Sequence, residues 1–89
     1  MSPEEATLVA AGPEFAAMIA LLRTKYHGRA KRTVRLLHGL FLDFPTAVVR
    51  SVLADAVEHK AYDLGQVERL ILQRVGTQVF RFPPEQDHE

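Results

Sequence analysis

Val34-Arg35-Leu36-Leu37-His38-Gly39-Leu40-Phe41-Leu42-Asp43-Phe44-Pro45-Thr46-Ala47-Val48-Val49-Arg50-Ser51-Val52-Leu53-Ala54-Asp55-Ala56-Val57 is the stretch whose reading decides the fold. Ahead of the proline, Ala30, Val34, Leu37, Phe41 and Phe44 recur at helical spacing, and Leu36 and Leu40 widen the stripe. After it, Val48, Val52 and Ala56 line one row of a second helix, and Val49, Leu53 and Val57 line the next. A residue before proline avoids the α region, so the chain turns at Phe44–Pro45. The connection is short enough to make antiparallel neighbours of a helix over Arg29–Asp43 and one from Pro45 to Lys60 or Ala61. Ala47, Ala54 and Ala56 are expected to let the second helix pack closely. Gly39 weakens the first by about 1 kcal/mol relative to alanine, and close approach of a neighbour would account for it.

Upstream, Ser2 reads as an N-cap with Pro3 at the first helical position, and Glu4 and Glu5 complement the helix dipole. That short helix stops at Gly12. Pro13 opens another, whose buried stripe is Phe15, Met18, Ile19, Leu22 and Tyr26, with Gly28 as its stop. Downstream, Asp63 and Gln66 have capping-box spacing, and Leu64, Val67, Leu70, Ile71 and Val75 form the face of a last helix. Gly76 is read as its end. Gln78–Phe82 reads as extended, and Pro83, Pro84, Glu85, Asp87 and Glu89 as a frayed tail. The expectation is an all-α fold: a small bundle of three to four antiparallel helices with a short N-terminal helix and an extended C-terminal tail. Residues 1–76 form a single helical domain, and residues 77–89 an extended or flexible acidic tail.

A chain of 89 residues is one domain, and its 47% apolar content is ordinary for a globular protein. Without cysteine there are no disulfides and no thiolate metal sites. The longest apolar run, Phe15 to Leu22, is far short of the ~20 residues that span a membrane. The N-terminus has no basic run before an apolar one, so no signal peptide is read. The expected setting is the cytoplasm, with no membrane partner.

Catalytic signatures are missing. The glycines have neither Walker nor Rossmann spacing, and Ser2 and Ser51 lack a nucleophile-elbow context. His27, His38, His59 and His88 lie on separate segments, with no pair at the spacing of a helical metal site. Asp55 and Glu58 are three apart on one helix, which suits acid–base or metal chemistry in principle. It equally suits a solvated face, with Asp55 near His59 and Glu58 near Tyr62. The expectation is a protein that is not an enzyme and needs no cofactor or metal.

Charge is informative because it is uneven. The net charge is zero, yet residues 23–35 carry six bases and no acid: Arg23, Lys25, Arg29, Lys31, Arg32 and Arg35. Cations in the first turn of a helix oppose its dipole. Three readings answer that conflict. One is a solvated turn, or pairing with Glu4, Glu5 and Glu14; another is nucleic-acid phosphate; the third is an acidic protein surface. Sequence reading by the helix after Pro45 is rejected. Its early residues Thr46, Ala47, Val48, Val49 and Arg50 are mostly apolar, and Asp55 and Glu58 would repel a phosphate backbone. The apolar rows of that helix serve equally as core or as an interface between copies of the chain, since both need the same residues.

Four segments together resemble the helical C-terminal region of IstA-type insertion-sequence transposases, which are related to the phage Mu transposase. They are Arg32-Thr33-Val34-Arg35-Leu36-Leu37, Phe44-Pro45, Ala54-Asp55-Ala56-Val57 and Tyr62-Asp63-Leu64-Gly65-Gln66-Val67-Glu68-Arg69-Leu70-Ile71-Leu72-Gln73-Arg74. The run covers about half the chain. The resemblance implies a non-catalytic assembly module, since the magnesium-binding acidic residues of such transposases lie in an upstream domain absent from these residues. It implies transposase subunits, DNA ends or an ATPase helper protein as partners. Arg32 and Arg35 fall inside the matching run, whereas Arg23, Lys25, Arg29 and Lys31 fall outside it. The alternative reading is an accessory nucleic-acid-binding domain that uses the patch at 23–35.

Overall fold

The computed structural model describes residues 2–80, with side-chain environments through residue 76. It contains α1 (Pro3–Ala11), α2 (Pro13–Tyr26), a 3₁₀ turn (His27–Arg29), α3 (Lys31–Asp43), α4 (Thr46–Glu58) and α5 (Leu64–Phe80). There is no strand among the described residues. The fold is an all-α small helical bundle.

Local chemistry explains most of the boundaries. The Ser2 hydroxyl accepts the Glu5 N–H at 3.2 Å, with Pro3 in the first turn, so α1 starts where its cap stands. Gly12 separates α1 from α2. Phe44, extended at φ −131 and ψ 158, ends α3 before Pro45. α4 closes in a Schellman motif: the Lys60 N–H donates to Val57 O at 3.1 Å and the Ala61 N–H to Ala56 O at 2.7 Å. Lys60 takes the positive φ of 54 that the motif requires. α4 therefore stops at Glu58, short of the expected Lys60 or Ala61.

Four further boundary or capping expectations are corrected. α2 ends at Tyr26 because His27, not Gly28, takes the positive φ. The turn at 27–29 absorbs Arg29, so α3 begins at Lys31. Asp63 caps α5 in one direction only: its Oδ1 accepts the Gly65 N–H at 3.0 Å, while the Gln66 side-chain Oε1 accepts from Arg69 at 3.4 Å. No reciprocal capping box is formed. Finally, α5 passes through Gly76 and runs to Phe80, so residues 77–80 are helical rather than extended. Gly76 does not have the positive φ of a left-handed cap, and a glycine inside a helix costs only about 1 kcal/mol. The remainder of the expected tail, residues 81–89, lies outside the described residues.

The core is one cluster. Leu8, Phe15, Met18, Leu22, Leu37, Val49, Val52, Leu53, Val67 and Ile71 are wholly buried. Each such aliphatic or aromatic side chain contributes roughly 1.5–3 kcal/mol on burial. α2 packs most extensively on α4 and α4 on α5, while α1 bridges α2 and α3. Phe15 of α2 meets Phe41 of α3 edge to face at 5.6 Å. The valine and leucine rows of α4 are core: Val48, Val49, Val52, Leu53 and Ala56 are all buried.

The stripe of α3 is narrower than expected. Leu36 is 58% exposed, because one residue turns a helix by about 100° and the buried line follows Val34, Leu37 and Leu40. Ala47 and Ala54 are exposed, and of the three alanines only Ala56 is buried. Gly39 admits no close neighbour either: a Cβ placed there would meet nothing within 4 Å.

Candidate functional site

Each of the six cations has a definite place. Arg23, near the end of α2, pairs with Glu5 of α1 at 2.5 Å. Glu5 is the one buried charged residue among the described residues, and Arg23 is its partner. Lys25 lies over the Tyr62 ring with Nζ 4.5 Å from the centroid, and Tyr62 meets Tyr26 edge to face. These two cations hold helices together, Arg23 tying α2 to α1 and Lys25 tying α2 to the α4–α5 connection.

Arg29, Lys31, Arg32 and Arg35 differ from them. All four are exposed, and none joins an ion pair among the described residues. Of the acids that might have neutralised them, Glu5 is engaged by Arg23 and Glu14 by Arg50 of α4, Nε to Oε1 at 2.8 Å, whereas Glu4 joins no ion pair among the described residues and lines one cleft with Lys31 and Arg35. Arg50 was not apparent as a partner from sequence. Its signal is that it stands alone as a charge between Pro45 and Ala54.

Arg29, Lys31 and Arg32 stand at the start of α3, and Arg35 lies one turn further along it. Ala30 occupies its N-cap position and offers no side-chain acceptor, and no acid stands in the first turn. The positive end of the helix dipole is thus left without a capping side chain and carries added positive charge. A cleft of about 320 Å³ opens beside it, where α1, the 3₁₀ turn and α3 meet. Ala30 and Val34 line it with Glu4, His27, Lys31 and Arg35. Arg29 and Arg32 are not among its lining residues.

The carboxylate pair on α4 is also accounted for. Asp55 accepts from Arg74 of α5 at 2.7 Å, and Arg74 also donates to Ser51. This pins α4 to α5. His59 makes its Nδ1 contact to the backbone oxygen of Asp55, at 2.8 Å. Glu58 is exposed. Among the described residues no group of three His, Asp or Glu side chains is placed to hold a metal ion. A wider groove of about 830 Å³ lies between the end of α4 and α5, with Ala56, Ala61 and Leu70 beneath a rim of both charge signs.

No helix among the described residues is long and apolar enough to cross a membrane. No protein-family model matches the chain, and neither a curated protein nor a solved structure matches it.

Proposed function

We propose that this chain is a non-catalytic helical interaction module, of the kind that ends IstA-type transposases, and that it contacts nucleic-acid phosphates through the N-terminal end of α3. The observation that carries this reading is the cluster Arg29, Lys31, Arg32 and Arg35, exposed and in no ion pair among the described residues, at a helix start whose N-cap Ala30 has no side-chain acceptor. Stability alone would favour acids in that turn, at about 0.3–1 kcal/mol each. A phosphate backbone offers the missing negative charge without demanding base-specific groups. Binding of this kind positions a subunit on DNA and does not read sequence. Transposase subunits or an ATPase helper would be the protein partners with which it assembles.

Duplex binding measured at two or more salt concentrations tests the reading. Affinity is expected to fall steeply with salt, because neutralised phosphates release counterions. Arg29→Ala, Lys31→Ala and Arg32→Ala are each expected to weaken binding to all sequences alike and to lower the log–log salt slope by about 1. No binding at low salt, or binding indifferent to those substitutions, would overturn it.

A further inference from the structure

His27 holds a backbone conformation that suits glycine, beside a glycine that does not use it. Its φ of 55 and ψ of −123 favour a residue without a Cβ, whereas Gly28 has no positive φ, and a Cβ there would meet nothing within 4 Å. A histidine at 27 followed by a glycine at 28 is therefore the less stable order of the two. No hydrogen bond, ion pair or ring contact of the imidazole among the described residues offsets that cost. Strain kept at one position, with nothing inside the chain to repay it, points to a use for the side chain.

The place of His27 indicates which use. It is exposed and lines the cleft of about 320 Å³ where α1, the 3₁₀ turn and α3 meet. Around it in that cleft stand Glu4 and Glu5 of α1, Arg23 of α2, and Lys31 and Arg35 of α3. Arg29 follows it in the same turn, outside the cleft lining, and the negative end of the α2 dipole lies at its backbone. Glu5 and Arg23 answer one another, whereas Glu4, Lys31 and Arg35 join no ion pair among the described residues. With a neutral imidazole the unpaired groups of the cleft leave a surplus of one positive charge, and a cationic imidazole doubles it. Histidine is the side chain whose charge changes between about pH 5 and pH 8. The phosphodiesters of nucleic acid keep their charge throughout that window, so the attraction between the two varies with this residue.

We propose, resting on the phosphate reading of this surface, that His27 is a further phosphate-contacting residue beside Arg29, Lys31, Arg32 and Arg35, and that it makes the contact in its cationic form, so that nucleic-acid binding takes up a proton. Coupling of this kind is reciprocal: a bound phosphate favours the charged ring, and the charged ring favours phosphate by the same factor. Binding is therefore tighter on the acid side of neutrality and weaker on the alkaline side, with no change of fold. The four other cations hold their charge across this range, and His27 alone makes the surface adjustable.

Duplex binding by the full chain, followed by fluorescence anisotropy at about pH 8 and about pH 6 and at several salt concentrations, is the test. Wild type is expected to bind roughly three-fold or more tightly at the lower pH, the scale of one added exposed charge. Its log–log salt slope there should be steeper by up to about 1. His27→Gln should bind at both pH values as wild type does at the higher one, although the other three histidines stay in place. His27→Lys should bind at both as wild type does at the lower one. His27→Gly keeps the turn in a conformation glycine prefers and should lose the pH response, which separates the ring from the backbone. Wild-type binding that is equal at both pH values, or a response that survives in His27→Gln or His27→Gly, overturns the proposal and leaves the phosphate reading standing. No duplex binding at either pH overturns that reading and this proposal with it.

Discussion

Arg50 of α4 reaches Glu14 of α2 across 36 residues of chain, with Nε 2.8 Å and Nη2 3.4 Å from its two carboxylate oxygens. The hydrogen bond from Arg50 holds the Glu14 carboxyl below its ordinary range, helped by a backbone hydrogen bond at Glu14 itself. Glu14 in turn raises Arg50.

This pair predicts part of the acid dependence of stability. A carboxyl whose folded pKa is depressed contributes stability that is fully present above its unfolded value, about 4.3, and is lost as pH falls through the folded value. Wild type should therefore lose more stability than Glu14→Gln between pH 6 and pH 3. Thermal melts of both across that window check it. Parallel curves would show that the pair contributes nothing.

Gly12 makes room for the same guanidinium. A Cβ at residue 12 would stand 2.7 Å from Arg50 Nε. The backbone there is extended, so Gly12→Ala acts by displacing Arg50 and not by straining the chain. Gly12→Ala and Arg50→Ala are expected to be non-additive, with the double variant little less stable than Arg50→Ala alone. Chemical denaturation of the four proteins measures the coupling.

Two residues occupy conformations that glycine adopts more readily. Lys60 closes the Schellman motif at φ 54, and His27 lies at φ 55 and ψ −123, as in the first central residue of a type II′ turn. Lys60→Gly and His27→Gly are each expected to stabilise by about 1 kcal/mol, which raises the melting temperature of a chain this size by roughly 4–8 °C. An unchanged or lower melting temperature would show that side-chain contacts outweigh the backbone cost.

Arg23 and Arg32 come from the same basic stretch but should behave differently. The Glu5 side chain is 8% exposed and its charge is answered by Arg23. Arg23→Ala leaves that carboxylate buried without a partner and should cost about 1–3 kcal/mol. Arg32→Ala, on an open surface, should stay within about 0.5 kcal/mol. Urea unfolding of the two variants separates structural cations from available ones.

Neighbouring leucines on α3 make the same contrast for packing. Leu37 is wholly buried and Leu36 is 58% exposed. Leu37→Ala should cost roughly 2–5 kcal/mol, and Leu36→Ala less than about 0.5 kcal/mol. Equal losses in denaturant melts would mean that Leu36 is held by a contact absent from the single chain.

The bundle was legible because helix signals are local. Ser2, Gly12, Pro13, Phe44–Pro45 and Asp63 mark boundaries through backbone geometry and capping that a few adjacent residues decide. The buried sets of α2 and α4 follow from spacing, and the cations at 23–35 follow from composition. Tertiary structure alone decided which cations are taken and which join no pair among the described residues. Arg23 and Lys25 read like Arg29 and Arg32 in sequence, but Glu5 and Tyr62 reach the first pair through space. The same holds for Glu14 with Arg50, for the exposure of Leu36, and for the empty space above Gly39. Spacing along one helix defines its faces, but only the placement of the other helices determines which face is covered and which charge finds a partner.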